Sequence, residues 1–320
     1  MSKATQDPIQ AHLNSSNPVQ PYKRYVNYID WWLSLREKLL DGLSGIMVDD
    51  VLNAETAGHI PEFEMDPAAD LKRALDAVKI AAIDERGAHV DYAILRESTD
   101  YHHYRRAQSP GLKRFDPARL ASRQARLAFW INLYNALVMD AVIALGIQRS
   151  VAEGKLGLLT FFRRAAYDVG GYRISLDEIE HGVLRGNKGN PFIPGRQFAS
   201  RDSRRSWVTW PSEPRIHFAL NCASRSCPPI QVYTADHLEA QLDLAARNFV
   251  DATVRLDQAK QSLIVSSLFK WFKGDFGGQA GVVSFLIDHL PHDGRREWLL
   301  KQPYGLRFRY EPYDWSLNTI

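Results

Sequence analysis

Cys222 and Cys227 are the only two thiols in the chain, and they lie in Cys-Ala-Ser-Arg-Ser-Cys-Pro-Pro, a segment of small and polar residues able to present backbone N–H groups. A thiol becomes a nucleophile when its thiolate is favoured, and Arg225 or a protonated histidine nearby would favour it. Cys222 is the preferred nucleophile, because it follows the apolar alternation Ile216, Phe218, Leu220 directly; Cys227 is its neighbour or the true nucleophile. Against this stand two buried thiols that only pack, a reversible disulfide formed across the four intervening residues, and a zinc site, for which the ligand spacing is poor.

A base for the thiol must be close in space, and His181 and His217 are the candidates. His181 lies in Asp177-Glu-Ile-Glu-His181, where Asp177 at i−4 could orient its ring. His217 alternates onto the face of Ala219 and Asn221; a lone histidine in such a run is also commonly a hydrogen-bonded core residue. Asn132 and Asn135, spaced i, i+3, share one face of an apolar helix, where an amide could orient a histidine or stabilise an oxyanion, or tie the helix to neighbouring backbone. Arg185, Lys188, Arg196, Arg201, Arg204 and Arg205 make a basic run with Asp202 the one acid from 187 to 205, which suits an anionic ligand or a solvated surface. Gly186, Gly189 and Gly195 match neither nucleotide-binding fingerprint.

The composition bounds the class. With 320 residues, 45% hydrophobic, 24% charged and eight tryptophans, the chain can bury a substantial core. Forty Lys and Arg against 37 acids leave a net charge of +3, too small to indicate nucleic acid or a membrane surface. No apolar leader opens the sequence, and no uninterrupted apolar stretch reaches the length of a membrane span, so a cytoplasmic protein is expected. No cofactor and no metal are expected.

The elements that must position these residues read as follows. Residues 1–21 are a polar arm with three prolines, and 22–109 a helical extension, with helices over 22–41, 67–83 and 90–104. Asp116 and Pro117 open a helix running to Gly146, with a break near Ser122; its second half is apolar nearly all round and therefore central and buried. Gly170-Gly171 supplies the positive φ values for a hairpin over 165–175, and Ser175 and Glu178 have capping-box spacing ahead of a helix to Arg185. A Gly-, Pro- and Arg-rich connection over 187–205, suited to a lid, leads to strands over 207–210 and 215–221. A helix over 234–251, a hairpin over 254–266, helices over 267–273 and 282–290 and a strand over 306–310 complete an α+β fold: a helical N-terminal part packed on a mixed, mainly antiparallel sheet with a buried central helix.

The blocks Ala128 to Leu137 (AFWINLYNAL), Asp177 to Arg185 (DEIEHGVLR) and His217 to Pro229 (HFALNCASRSCPP) resemble the domain of unknown function 547 family. Ser267 to Phe276 (SLFKWFKGDF) and Tyr313 to Asn318 (YDWSLN) extend the resemblance, giving an α+β domain over about 115–318. The resemblance implies a fold and a set of positions and carries no agreed reaction. From the residues themselves, the expectation is a cysteine-dependent hydrolase or acyl transferase acting on a small molecule or peptide, with Cys222 as nucleophile, His181 or His217 as base and Asn132 beside them. The alternative is a non-catalytic binding or scaffold module whose cysteine pair is structural or redox-sensing, with an anionic ligand at the Arg-rich loop.

Overall fold

The computed structural model describes residues 28–47, 49–54, 67–154, 156–301 and 306–320, so the expected arm over 1–21 lies outside the described residues. The N-terminal helices are α1 (Tyr28–Ser44), α2 (Pro67–Ala82), α3 (Tyr92–Glu97), α4 (Thr99–His103) and the short α5 (Ser109–Gly111). Then come α6 (Arg123–Ala144), α7 (Leu158–Arg164), the hairpin β1 (Ala166–Val169) and β2 (Tyr172–Ser175), and α8 (Leu176–Glu178). The C-terminal part holds α9 (Leu238–Thr253), β3 (Arg255–Asp257), β4 (Ser262–Ser266), α10 (Leu268–Trp271), α11 (Gly278–His289), α12 (Gly294–Leu300) and β5 (Arg307–Glu311). The fold is α+β.

Helix α6 is the centre of the molecule. The Ser122 side chain accepts from Ala125 N–H and starts it after the break at Pro117–Arg119, and every residue from Leu127 to Val142 is buried. By length and composition α6 could cross a membrane, although no uninterrupted apolar run marks it in the sequence; here neighbouring elements cover it. Each large side chain such as Phe129, Leu133 or Leu137 contributes about 1.5–3 kcal/mol by leaving water. Leu71, Leu75 and Val78 of α2 enter the same core, and Asp140 of α6 accepts from the hydroxyls of Tyr101 and Tyr167, each at 2.8 Å.

The strands form two small sheets. In β1–β2, Val169 pairs with Tyr172 across Gly170 and Gly171, whose φ angles of 58° and 81° close the turn as expected. β4 pairs antiparallel with β3 and parallel with β5. A second core, built from α9, β4 and α10 to α12, packs around Phe218, Phe249, Phe269 and Leu286.

Three local expectations change. The 215–221 segment is a 3-10 helix over Pro214–Phe218 followed by a loop: Pro214 stands in its first turn, the Glu213 carboxylate accepts from Arg215 N–H, and residues on both sides of the supposed strand are buried. The 207–210 segment follows another 3-10 helix, Ser203–Trp207, capped by Asp202. After α8 the chain widens to a π-helix, Ile179–Leu184, and this single wide turn carries Glu180 and His181.

Candidate functional site

A cavity of about 480 Å³ lies between α6, the Ile179–Leu184 turn, the cysteine loop and α10. Its polar lining is Tyr134, Asp177, Glu180, His181, Asn190, His217, Cys222 and Tyr313. The rest is largely apolar, with Leu158, Phe162, Leu220, Leu268, Trp271 and Phe272 prominent. The arrangement is that of a small-molecule site, an apolar body with a few convergent polar groups.

The cysteine loop is held from behind by amides. Asn135 on α6 donates to Ala219 O (3.0 Å) and accepts from Asn221 N–H (2.9 Å). Asn221 donates to Pro228 O (2.8 Å) and accepts from Ala223 N–H (2.8 Å), closing the loop on itself. Asn132 does the same at a distance, donating to Tyr233 O (2.8 Å) and accepting from Tyr233 N–H (2.9 Å). Asn132 was a candidate for the chemistry; its amide is spent on backbone and it does not line the cavity, because a carboxamide buried in an apolar helix must satisfy itself on the nearest chain.

Cys222 and Cys227 are joined as a disulfide with Cα atoms 6.1 Å apart, one of the alternatives left open by their spacing. The Tyr313 hydroxyl lies 3.4 Å from Cys222 Sγ and 3.2 Å from Cys227 Sγ, and Ser224 Oγ is 3.3 and 3.2 Å from the same two atoms. In this state neither sulfur is a nucleophile. Arg225, expected as a cation for the thiol, is exposed.

The two histidines have opposite proton arrangements. His217 Nε2 lies 2.9 Å from Asp275 Oδ2, and the ring stacks on Phe272 with centroids 3.9 Å apart. Burial pushes Asp275 upward, but the hydrogen bonds from His217 and Arg185 outweigh it and hold the carboxyl far below its usual range. Asp275 is therefore ionised and accepts from His217 Nε2–H. Burial also keeps His217 below its ordinary pKa despite Asp275, so the ring is neutral and Nδ1 carries the lone pair. His181 is the reverse. Arg185 Nη1 donates to His181 Nδ1 at 3.1 Å, which a guanidinium can do only to an unprotonated nitrogen. Burial and Arg185 push His181 well below its ordinary pKa, so its single proton sits on Nε2. Asp177, expected to orient this ring, stands 3.7 Å from Nε2, beyond hydrogen-bond reach, and accepts instead from Asn190 (2.8 Å) and Gln197 (3.1 Å). His217 has the arrangement of a base and His181 that of a donor.

Asp275 and Glu180 did not emerge from the sequence as site residues. Asp275 lies in the SLFKWFKGDF block, but nothing in that block says that it meets His217. Glu180 accepts from the Tyr134 hydroxyl at 3.1 Å, and burial pushes it up to about 7, with Arg185 and Tyr134 pulling the other way. A carboxyl titrating there can give or take a proton near neutrality.

Half of the basic run is paired with carboxylates. Arg185 donates to Asp275 at 2.6 Å, Lys188 to Asp275 at 3.0 Å, and Arg204 to both Glu178 and Asp202 at 2.8 Å. Arg196, Arg201 and Arg205 are exposed. Among the described residues, no group of three or more His, Cys, Asp or Glu side chains has the geometry of a metal site.

With this geometry established, residues 117–250 match the family model described as Protein of unknown function, DUF547. The chain carries a DUF547 domain. No curated protein and no solved structure matches the chain. The matched DUF547 segment supplies Tyr134, Glu180, His181, His217 and Cys222, whereas Asp275 and Tyr313 come from beyond it. The site therefore joins the DUF547 segment to the C-terminal elements.

Proposed function

We propose that the chain is a thiol-dependent acyl hydrolase or acyl transferase, with Cys222 as nucleophile, His217 as base and Asp275 as the group that orients the base. One observation carries the reading: His217, held by Asp275 behind it, and Cys222 both line one cavity. Nucleophile, base and orienting carboxylate are the three parts that thiol acyl transfer needs.

The cycle begins with a dithiol reductant, which gives two electrons and two protons to the Cys222–Cys227 bond and leaves two thiols. His217 Nδ1 takes the Cys222 proton. The thiolate forms a bond to the acyl carbon, the bond to the leaving group breaks, and the leaving group departs with the proton from His217. Water or an acceptor nucleophile, deprotonated by His217, then breaks the thioester and returns the thiol. His181 Nε2–H and protonated Glu180 are donors suited to the charge that develops on the carbonyl oxygen. The ligand is a small molecule or short peptide with an apolar acyl part, no cofactor enters the cycle, and a reducing compartment such as the cytoplasm is the fitting setting.

A second reading has its own observation, the disulfide itself. Bonded to Cys227 and lying against Tyr313 and Ser224, Cys222 would serve a binding module as a structural or redox-sensing staple. Hydrolysis of p-nitrophenyl acyl esters by the full chain, with and without dithiothreitol, separates the two. The enzyme reading expects turnover that needs reductant and vanishes in Cys222→Ser. Turnover absent in both states supports the module.

A further inference from the structure

Helix α1 turns most of its apolar surface outward. Three of its charged residues face the protein: Arg163 pairs with Glu37 and Asp41 at 2.7 Å each, and buried Arg36 donates to Pro194 O (2.7 Å) and Arg196 O (2.8 Å). Leu33 and Leu40 face in beside them, and the other large apolar residues face out. Tyr28, Trp31, Trp32, Leu35, Leu39 and Leu43 are all exposed, Leu39 at 58% and Leu43 at 63%. At 100° per residue they fall within one arc of about 120°, the width of a face that is normally buried. Water is a poor partner for such a stripe.

The exposed cations of the basic run stand next to it. Gly195 abuts Trp32 and Leu33, Arg36 binds the backbone at Arg196, and Asp30 accepts from both the N–H and the hydroxyl of Ser200. The 194–205 connection is thereby laid along α1, with Arg196, Arg201 and Arg205 exposed on it and Lys38 exposed on the helix. The nearby acids are engaged: Asp30 by Ser200, and Glu37 and Asp41 by Arg163. Asp49 and Asp50 are exposed only past the helix end. Leu40 of α1 and Phe192 of the adjoining loop also line the cavity.

From this juxtaposition we infer that the α1 stripe and Arg196, Arg201 and Arg205 form a docking surface for an anionic lipid bilayer. An aromatic and leucine stripe flanked by cations is the chemistry of an interfacial helix, which buries its apolar face at the headgroup boundary while the cations meet lipid phosphates. The net charge of +3 concealed this, because the cations that matter are local. Docking would bring the Leu40 and Phe192 side of the cavity to the lipid. It goes beyond the acyl-transfer reading and does not depend on it.

Sedimentation of the full chain with phosphatidylcholine vesicles, with and without phosphatidylglycerol, tests this. The unaltered protein is expected to bind the anionic vesicles, to release as salt rises, and to bind neutral ones weakly. Leu35→Asp, Leu39→Asp and Leu43→Asp together should abolish binding; these side chains are exposed, and circular dichroism checks the fold. Arg196→Gln, Arg201→Gln and Arg205→Gln together should weaken it on the order of a hundredfold at low salt, about fivefold per arginine. If the unaltered chain stays in the supernatant, or either triple variant binds as it does, the inference falls. It falls equally if light scattering shows a dimer that the leucine variant dissociates and vesicles do not bind, since a second copy then covers the stripe.

Discussion

His217 Nε2 donates to Asp275 Oδ2 across 2.9 Å, joining a 3-10 helix of the DUF547 segment to a turn 58 positions later in the chain. That single contact sets the tautomer of the ring, and with it which nitrogen can act on a thiol. Arg185 and Lys188 close on the same carboxylate, so Asp275 also neutralises the buried Arg185 and the exposed Lys188.

Asp275→Asn tests both roles. Removing the charge leaves Arg185 buried without its ionic partner, and breaking such a pair costs about 3–5 kcal/mol. Denaturant unfolding should show that loss. In the folded fraction, kcat for acyl-ester hydrolysis should drop at least a hundredfold with KM little changed, because the amide allows the wrong tautomer of His217.

Glu180 makes stability depend on pH. Its carboxyl titrates at about 7 in the folded protein and near 4.5 when unfolded, so between these values the folded state holds the extra proton. Its contribution is fully present below about 4.5 and is lost as pH rises through 7, a fall of up to roughly 3 kcal/mol. Glu180→Gln, which mimics the protonated form, should flatten this part of the stability profile and be the more stable protein above pH 7. Unfolding midpoints from pH 5 to 8 for both proteins give the comparison.

Asn135 and Asn132 make equivalent bidentate contacts with different consequences. Each truncation to Ala leaves a backbone N–H and C=O unpaired in the interior, a cost of about 2–4 kcal/mol. Asn135→Ala releases Ala219 and Asn221, which precede Cys222, whereas Asn132→Ala releases Tyr233. Equal thermal destabilisation is expected, with a loss of turnover confined to Asn135→Ala.

These contacts mark what the sequence could and could not say. The Gly170-Gly171 hairpin, the Ser175 to Glu178 capping box and the buried course of α6 were legible because each rests on local chemistry. The 215–221 segment was misread because alternation signals a strand only when one face is polar, and here His217, Ala219 and Asn221 are as buried as Ile216, Phe218 and Leu220. Pro214 behind Glu213 was the better signal. Cys222, His181 and His217 were found by residue type, and the cavity brings all three together. Asp275 and Glu180 were not, since their roles come from tertiary neighbours that no spacing encodes. The outward face of α1 was read as ordinary helical periodicity; the buried Leu33, Arg36 and Arg163 reveal which side faces in.

The cysteine pair gives a direct count. Under oxidising, native conditions a thiol reagent should find no reactive sulfur, and after mild reduction two. Cys227→Ser should expose one thiol, Cys222, without reductant. If the two reduced thiols react with the pH dependence of free cysteine, His217 does not act on Cys222.

The central claim, that Cys222 is the nucleophile of a thiol acyl-transfer site, is tested most directly by intact mass spectrometry of the reduced chain quenched during turnover of a p-nitrophenyl acyl ester. The account predicts a mass increase of one acyl group, mapped to Cys222, absent in Cys222→Ser and slow to form in His217→Ala. An unmodified Cys222 during turnover, or undiminished hydrolysis by Cys222→Ser, would contradict it.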